Sequence, residues 1–192
     1  MYRAVAWKAC HDHLPLDDDA VVSALSREAQ IEQDALGIRI DGHDVTRDIR
    51  TPAIDQAAAQ VARLPGVRAV LVARQRAMGA GGVVMEGRDI GTVVFPDANV
   101  KVYLDASAEE RARRRMADAA HTASGTGDVA RVQDAMAARD RSDSTRPVAP
   151  LTLAPDAVYL DTTELDADGV FAQVVTLVRR TQNEPDTGPA SS

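Results

Sequence analysis

The residues best suited to chemistry in this 192-residue chain are arginines and carboxylates gathered at a few places. Glu86-Gly87-Arg88-Asp89 sets two carboxylates beside a guanidinium, with a glycine that permits close backbone approach. That composition suits the floor of a ligand site; a solvated turn pair is the other reading. Arg139-Asp140-Arg141-Ser142-Asp143-Ser144-Thr145-Arg146 alternates charge. Such a run reads as a helix face laced with salt bridges, or as a phosphate clamp in which Asp143 orients arginines or accepts hydrogen bonds from a nucleoside. Arg111, Arg113, Arg114 and Arg115 spread over more than one face of a helix, so all four cannot meet one ligand. Arg68 follows Pro65-Gly66 at a helix start, where free backbone N–H groups favour anions. Arg3 follows Tyr2 near the amino end. Cys10, His11 and His13 resemble metal ligands, but no second cluster completes a coordination sphere, so no metal site is assigned. The 192 residues contain no nucleophile elbow, dinucleotide fingerprint or G-x-x-x-x-G-K-[ST].

These groups need elements to hold them. Helical spacing covers residues 1–9, and a second helix begins at Asp17-Asp18-Asp19 and runs through Val21, Val22 and Leu25 toward Ala29. Ile38-Arg39-Ile40 alternates, Asp41-Gly42 supplies a turn, and residues 45–49 return as a second short strand. Thr51-Pro52 opens an alanine-rich helix to about Arg63, and a further helix runs from Val67 to Met78. Val83-Val84-Met85 reads as a buried strand ending in the polar run at Glu86, the usual ligand edge of an open α/β sheet. Residues 100–104 and 157–160 read as two more such strands. Ser107 and Glu110 form a capping box for an arginine-studded helix to about Ala120. A mobile loop is expected at 121–128, then a helix at 129–141, a Pro-containing stretch at 147–155, a closing helix at 170–180 and a disordered tail from about 182 to 192. Strands alternating with helices predict an α/β three-layer domain with a parallel sheet.

Composition narrows the class. At 192 residues one domain is expected. The net charge of −7 and 3% aromatic content argue against an arginine-rich RNA-binding protein, because both electrostatic attraction and stacking platforms would be scarce. Of the 22 basic residues only Lys8 and Lys101 are lysines; the rest carry the planar fork suited to phosphate and carboxylate. The single cysteine fits a reducing compartment. With no membrane-length apolar run and no signal-peptide pattern, the expectation is a cytoplasmic protein with no membrane or nucleic-acid partner.

Several strings become specific together: Met1-Tyr2-Arg3-Ala4, Asp44-Val45-Thr46, Ile49-Arg50-Thr51-Pro52, Gly87-Arg88-Asp89-Ile90-Gly91-Thr92-Val93-Val94-Phe95-Pro96-Asp97-Ala98, Glu109-Glu110-Arg111, Val148-Ala149-Pro150-Leu151 and Asp161-Thr162-Thr163. With them the chain resembles the bacterial cytidylate kinase family, nucleoside monophosphate kinases that transfer the γ-phosphoryl group of ATP to CMP or dCMP. The resemblance implies a P-loop-kinase-like parallel sheet, a small monophosphate-binding insert at about 30–65 and a lid at about 111–146, within a domain spanning 1–181. It implies that Tyr2, Arg3, Arg68, Arg88, Asp89, Arg139, Asp143 and Arg146 bind CMP, with Arg68 and Arg88 on the acceptor phosphate and Asp143 and Arg146 at the ribose. Arg88 and Arg139 fall to catalysis, and Arg111, Arg114 and Arg115 to the lid over ATP, which enters with Mg²⁺. Where the family commonly has a serine against the base, this chain has Ala59, so weaker base affinity is expected. A monomer is expected.

One part of the family pattern is absent from the 192 residues: the first strand, the phosphate-binding loop with its lysine, a helix and a second strand, a βαβ unit of about 30 or more residues. Without it the chain as written has no backbone cradle for the ATP phosphates and no hydroxyl for Mg²⁺. A start site assigned too far downstream is the expectation that accounts for this, with a non-catalytic CMP-binding remnant as the alternative. Losing a central strand would also remove buried apolar surface comparable in worth to a domain's net stability of roughly 5–15 kcal/mol.

Overall fold

Local signals in the chain become helix ends at the positions where hydrogen-bond bookkeeping requires them. The computed structural model describes residues 1–34, 37–117, 129–145 and 150–183. Helix α1 spans Tyr2–His11, with Lys8 near its carboxyl end donating to Asp12 Oδ2 at 2.6 Å. Helix α2, Asp19–Glu28, is capped by Asp18, whose carboxylate accepts from Val21 N at 3.1 Å. Helix α3, Pro52–Val61, is capped by Thr51, whose Oγ1 accepts from Ile54 N at 3.4 Å, with Pro52 in the first turn.

Helix α4, Pro65–Met78, has no side-chain cap of its own. Its first N–H groups, on Gly66 and Val67, donate instead to the Asp19 carboxylate at 2.9 and 3.3 Å. The anion-binding start expected beside Arg68 is therefore filled by an internal carboxylate. A Cβ on residue 66 would lie 2.8 Å from Asp19 Oδ1, so a larger residue there must push the capping carboxylate aside.

Helices α1 to α4 share one core. Val5, Val22, Val61, Val67 and Leu71 are fully enclosed in it, with Ile54, Ala57 and Ala58 from the inner face of α3. A three-stranded antiparallel sheet, β1 (Ile31–Gln33), β2 (Ile38–Ile40) and β3 (His43–Asp44), covers the neighbouring face. Ile38, Ile40 and Val45 pack there against Ala4 and Ala29. Asp41 and Gly42 both adopt positive φ, 49° and 79°, and link β2 to β3 with the backbone twist of a tight hairpin. The predicted return strand at 45–49 is not a strand. Pairing ends at Asp44, and Asp48–Arg50 forms a 3₁₀ turn leading into α3.

The α/β part carries a parallel pair, β4 (Val102–Asp105) and β5 (Val158–Asp161), registered Val102 to Val158 through Asp105 to Asp161. Helices α5 (Ala108–Ala117) and α6 (Val129–Thr145) pack on each other, and α7 spans Ala167–Asn183. The chain is thus mixed α/β with a parallel sheet, as its sequence pattern predicts. Ser107 caps α5 by accepting from Glu110 N at 3.2 Å, but Glu110 turns its own carboxylate to Arg113 and Arg114 rather than back to the cap.

Val83-Val84-Met85 departs from expectation. It makes no strand, and Val84 is 99% exposed. An apolar run becomes a strand only when a neighbouring backbone returns its hydrogen bonds, and among the described residues β4 pairs with β5 alone. β4 and β5 are likewise less buried than predicted, with Leu104 and Tyr159 each about half exposed. The segments at 121–128, the stretch at 146–149 with Arg146, and the tail beyond 183 lie outside the described residues.

Candidate functional site

Helices α3, α4, α5 and α6, strand β4 and an irregular segment bring charged side chains to a broad cleft of about 2430 Å³. The irregular segment is the Glu86 to Asp89 run, which leads into a π-helical turn at Ile90–Val94. Arg76 of α4 secures that turn, donating to the carbonyls of Val94 at 2.9 Å and Val93 at 2.7 Å.

At the inner end, Arg68 of α4 is 3% exposed and pairs with Asp89, itself 8% exposed. The Arg68 guanidinium lies 5.9 Å from the centre of the Tyr2 ring, within cation–π range. Tyr2, Arg68 and Asp89, separated by up to 87 positions in sequence, form one group in which the ion pair is buried and Tyr2 is half-buried.

A second group forms around Asp140 of α6. Arg88 reaches its Oδ1 at 2.9 Å, Arg111 pairs with its other oxygen, and Arg88 Nε lies 3.5 Å from Asp143 Oδ2. Partial burial raises the Asp140 pKa, but hydrogen bonds from Arg111 and Arg88 outweigh it and hold the carboxyl below its ordinary value.

The third group centres on Asp55, in the first turn of α3. Arg3 Nη2 lies 2.7 Å from its Oδ1, while Arg115 pairs with Oδ2 and Arg139 Nη1 stands 3.9 Å from the same oxygen. Arg3 also donates to the carbonyl of Ile49 at 2.9 Å. Burial lowers the Arg3 pKa, Asp55 opposes the shift, and Arg139, Arg115 and Arg50 add to it.

Of the arginines on α5, Arg111 and Arg115 face the cleft. Arg114 turns elsewhere, donating to Glu110, to Thr162 Oγ1 at 2.9 Å and to the carbonyl of Leu165 at 3.0 Å, and Arg113 pairs with Glu110. That division follows from helix geometry, since adjacent positions point about 100° apart. Ala59 lies one turn beyond Asp55 and lines the cleft beside it.

Two members of the site have little signature in the sequence. Asp140 stands inside the charge-alternating run without being distinguishable from its neighbours. Asp55 is marked only as the single charged side chain of α3.

The Nε atoms of Arg68, Arg111 and Arg139 are buried and have no hydrogen-bond partner among the described residues. Arg111 and Arg139 line the cleft, and guanidinium donors left open there mark a place for an anionic, acceptor-rich ligand. Among the described residues no group of three histidine, cysteine or carboxylate side chains is placed to hold a metal ion, and no helix is long and apolar enough to cross a membrane.

An α/β fold with such an arginine-rich cleft suits a phosphotransferase that handles nucleotides. Within that class the chain belongs to the cytidylate kinase family, whose sequence profile, described as Cytidylate kinase, matches residues 1–180. Three bacterial proteins named cytidylate kinase illustrate the likeness. That of Limosilactobacillus reuteri (strain DSM 20016) is 41% identical over 189 residues, covering 96% of this chain and 83% of its own length. The Solibacter usitatus protein is 46% identical over 182 residues, covering 93% and 78%. The Pelotomaculum thermopropionicum protein is 44% identical over 190 residues, covering 96% and 84%.

Proposed function

We propose that the protein is built to bind CMP or dCMP as phosphoryl acceptor, with ATP as donor, giving CDP or dCDP. The observation that carries this is the convergence of Arg88, Arg111, Arg115 and Arg139 on one cleft, with Arg3 and Arg68 behind its lining, paired to Asp55 and Asp89. Phosphoryl transfer asks little covalent help of a protein and much positioning and charge neutralisation. Arg88 and Arg139 stabilise charge on the transferring group. Arg68 and Arg88 hold the acceptor phosphate, Tyr2, Arg3, Asp89 and Arg139 complete the CMP site, and Asp143 and Arg146 hold the ribose. Arg111, Arg114 and Arg115 serve the donor side; Arg114 must leave Thr162 and Leu165 to do so. Magnesium would arrive with ATP, neutralising its phosphates, and no step here is assigned to it.

The 192 residues contain no G-x-x-x-x-G-K-[ST], so this polypeptide by itself is expected to bind the acceptor without transferring phosphate. It works as a cytoplasmic monomer in this proposal. Titration calorimetry of the purified chain with CMP, dCMP, UMP and AMP tests it. Saturable heat with CMP and dCMP, and weaker or no heat with AMP, is expected. Equal affinity for all four nucleotides would overturn the acceptor assignment, and CMP-dependent ADP formation by this chain would overturn the inactivity.

A further inference from the structure

Asp55 is out of place in a site for an anion. It puts a negative charge where Arg3 of α1, Arg115 of α5 and Arg139 of α6 converge, and its side chain is only 13% exposed. Capping α3 does not account for it, because Thr51 does that. One carboxylate cannot neutralise three guanidinium groups, and among the described residues Arg139 retains a buried Nε donor without a partner. Arginine forks grip carboxylate and phosphate with the same geometry. The Asp55 oxygens therefore stand where phosphate oxygens would find the same donors.

We propose that Asp55 is a built-in competitor, occupying the phosphate position among Arg3, Arg115 and Arg139 until a nucleotide phosphate displaces it. This inference rests on the CMP site proposed above, with which the cluster shares Arg3 and Arg139, and it adds a contact for the nucleotide phosphate beyond Arg68 and Arg88. Displacement has consequences for selectivity. The apparent affinity of any phosphate-bearing ligand is reduced by the fraction of molecules in which the carboxylate still occupies the position. A nucleotide recovers that loss through its nucleoside contacts, whereas free phosphate has nothing to recover it with. Asp55 thus keeps the arginines from filling with inorganic anions, and it has no effect on a ligand that lacks a phosphate.

The test is calorimetry at low salt on the wild-type chain and on Asp55→Asn and Asp55→Ala, each titrated with CMP, cytidine and inorganic phosphate. Both variants are expected to bind CMP and inorganic phosphate at least about fivefold more tightly than wild type, with cytidine unchanged. Weaker CMP binding in the variants would overturn the inference, because the carboxylate would then be orienting the arginines. Equal shifts for CMP and cytidine, no change at all, or loss of every ligand in all three proteins would overturn it too. If the variants tighten phosphate while wild type binds CMP no better than inorganic phosphate, the competitor stands and the cytidine-nucleotide assignment falls.

Discussion

Arg68 and Asp89 show how a single pair can serve the fold and the site together. Both are almost completely enclosed, so neither charge is tolerable without the other. Asp89→Asn leaves the guanidinium buried without its counter-charge and is expected to cost about 3–5 kcal/mol, read as a lower urea midpoint with an unchanged slope. Replacing both partners by apolar residues of similar volume should cost much less, which a double-mutant cycle would reveal. A stability loss equal to the single variant's would mean that the pair contributes packing rather than charge balance. Glu110 offers a pH prediction of the opposite kind, at the surface. Hydrogen bonds from Arg113 and then Arg114 lower its pKa from 4.5 to about 2. Because the folded value is depressed, the pairing is fully present above 4.5 and disappears as pH falls toward 2. A carboxyl carbon titration of Glu110 by NMR should have its midpoint near that lower value; a midpoint near 4.5 would show that the two arginines do not hold it.

At the scale of elements, α4 begins on a cap borrowed from α2. Asp19→Ala removes the acceptor for the N–H groups of Gly66 and Val67 and is expected to destabilise by about 1–2 kcal/mol, as loss of an N-cap does. Gly66→Ala should be as damaging by a different route, because the new methyl meets Asp19 Oδ1 at 2.8 Å. Thermal unfolding of the two single variants and of the double variant separates these causes. With Asp19 already removed, Gly66→Ala should become nearly neutral. Persistent damage in the double variant would place the cause outside this contact. Thr51, Pro52 and Asp18 were readable in advance because a cap acts on residues two or three positions away. The Asp19 cap was not readable, since its acceptor and donors are 47 and 48 positions apart. Val83-Val84-Met85 failed as a strand for a related reason: its apolar residues say that burial would be favourable, but only a partner backbone can make the ladder.

For the whole molecule, the charge distribution matters more than its sum. The net charge is −7, yet arginines from α4, α5, α6 and the 86–89 segment line one cleft, with Arg3 of α1 and Arg68 of α4 paired to carboxylates of its lining. Ion pairs there join α5 and α6 to α3, and α3 to α1, all through Asp55. CMP affinity is accordingly expected to fall steeply as ionic strength rises from about 0.1 to about 1 M, where the screening length contracts from about 10 to about 3 Å. Calorimetry at a series of salt concentrations checks this. A flat dependence would show that the nucleotide's phosphate does not meet the arginine cluster.

What the chain determined by itself was its class and much of its chemistry. Helix caps, the Asp41-Gly42 turn and the Gly87 to Ala98 string act or are recognisable over short separations, and they were enough to indicate an α/β nucleotide-handling protein. Tertiary structure alone decided which charges meet. It brought Asp55 among three arginines, separated Arg111 and Arg115 from Arg113 and Arg114, and enclosed Arg68 against Asp89 and Tyr2. The physical reason is that charge pairing depends on distance and burial, and residues 21 to 84 positions apart acquire both only when the helices pack.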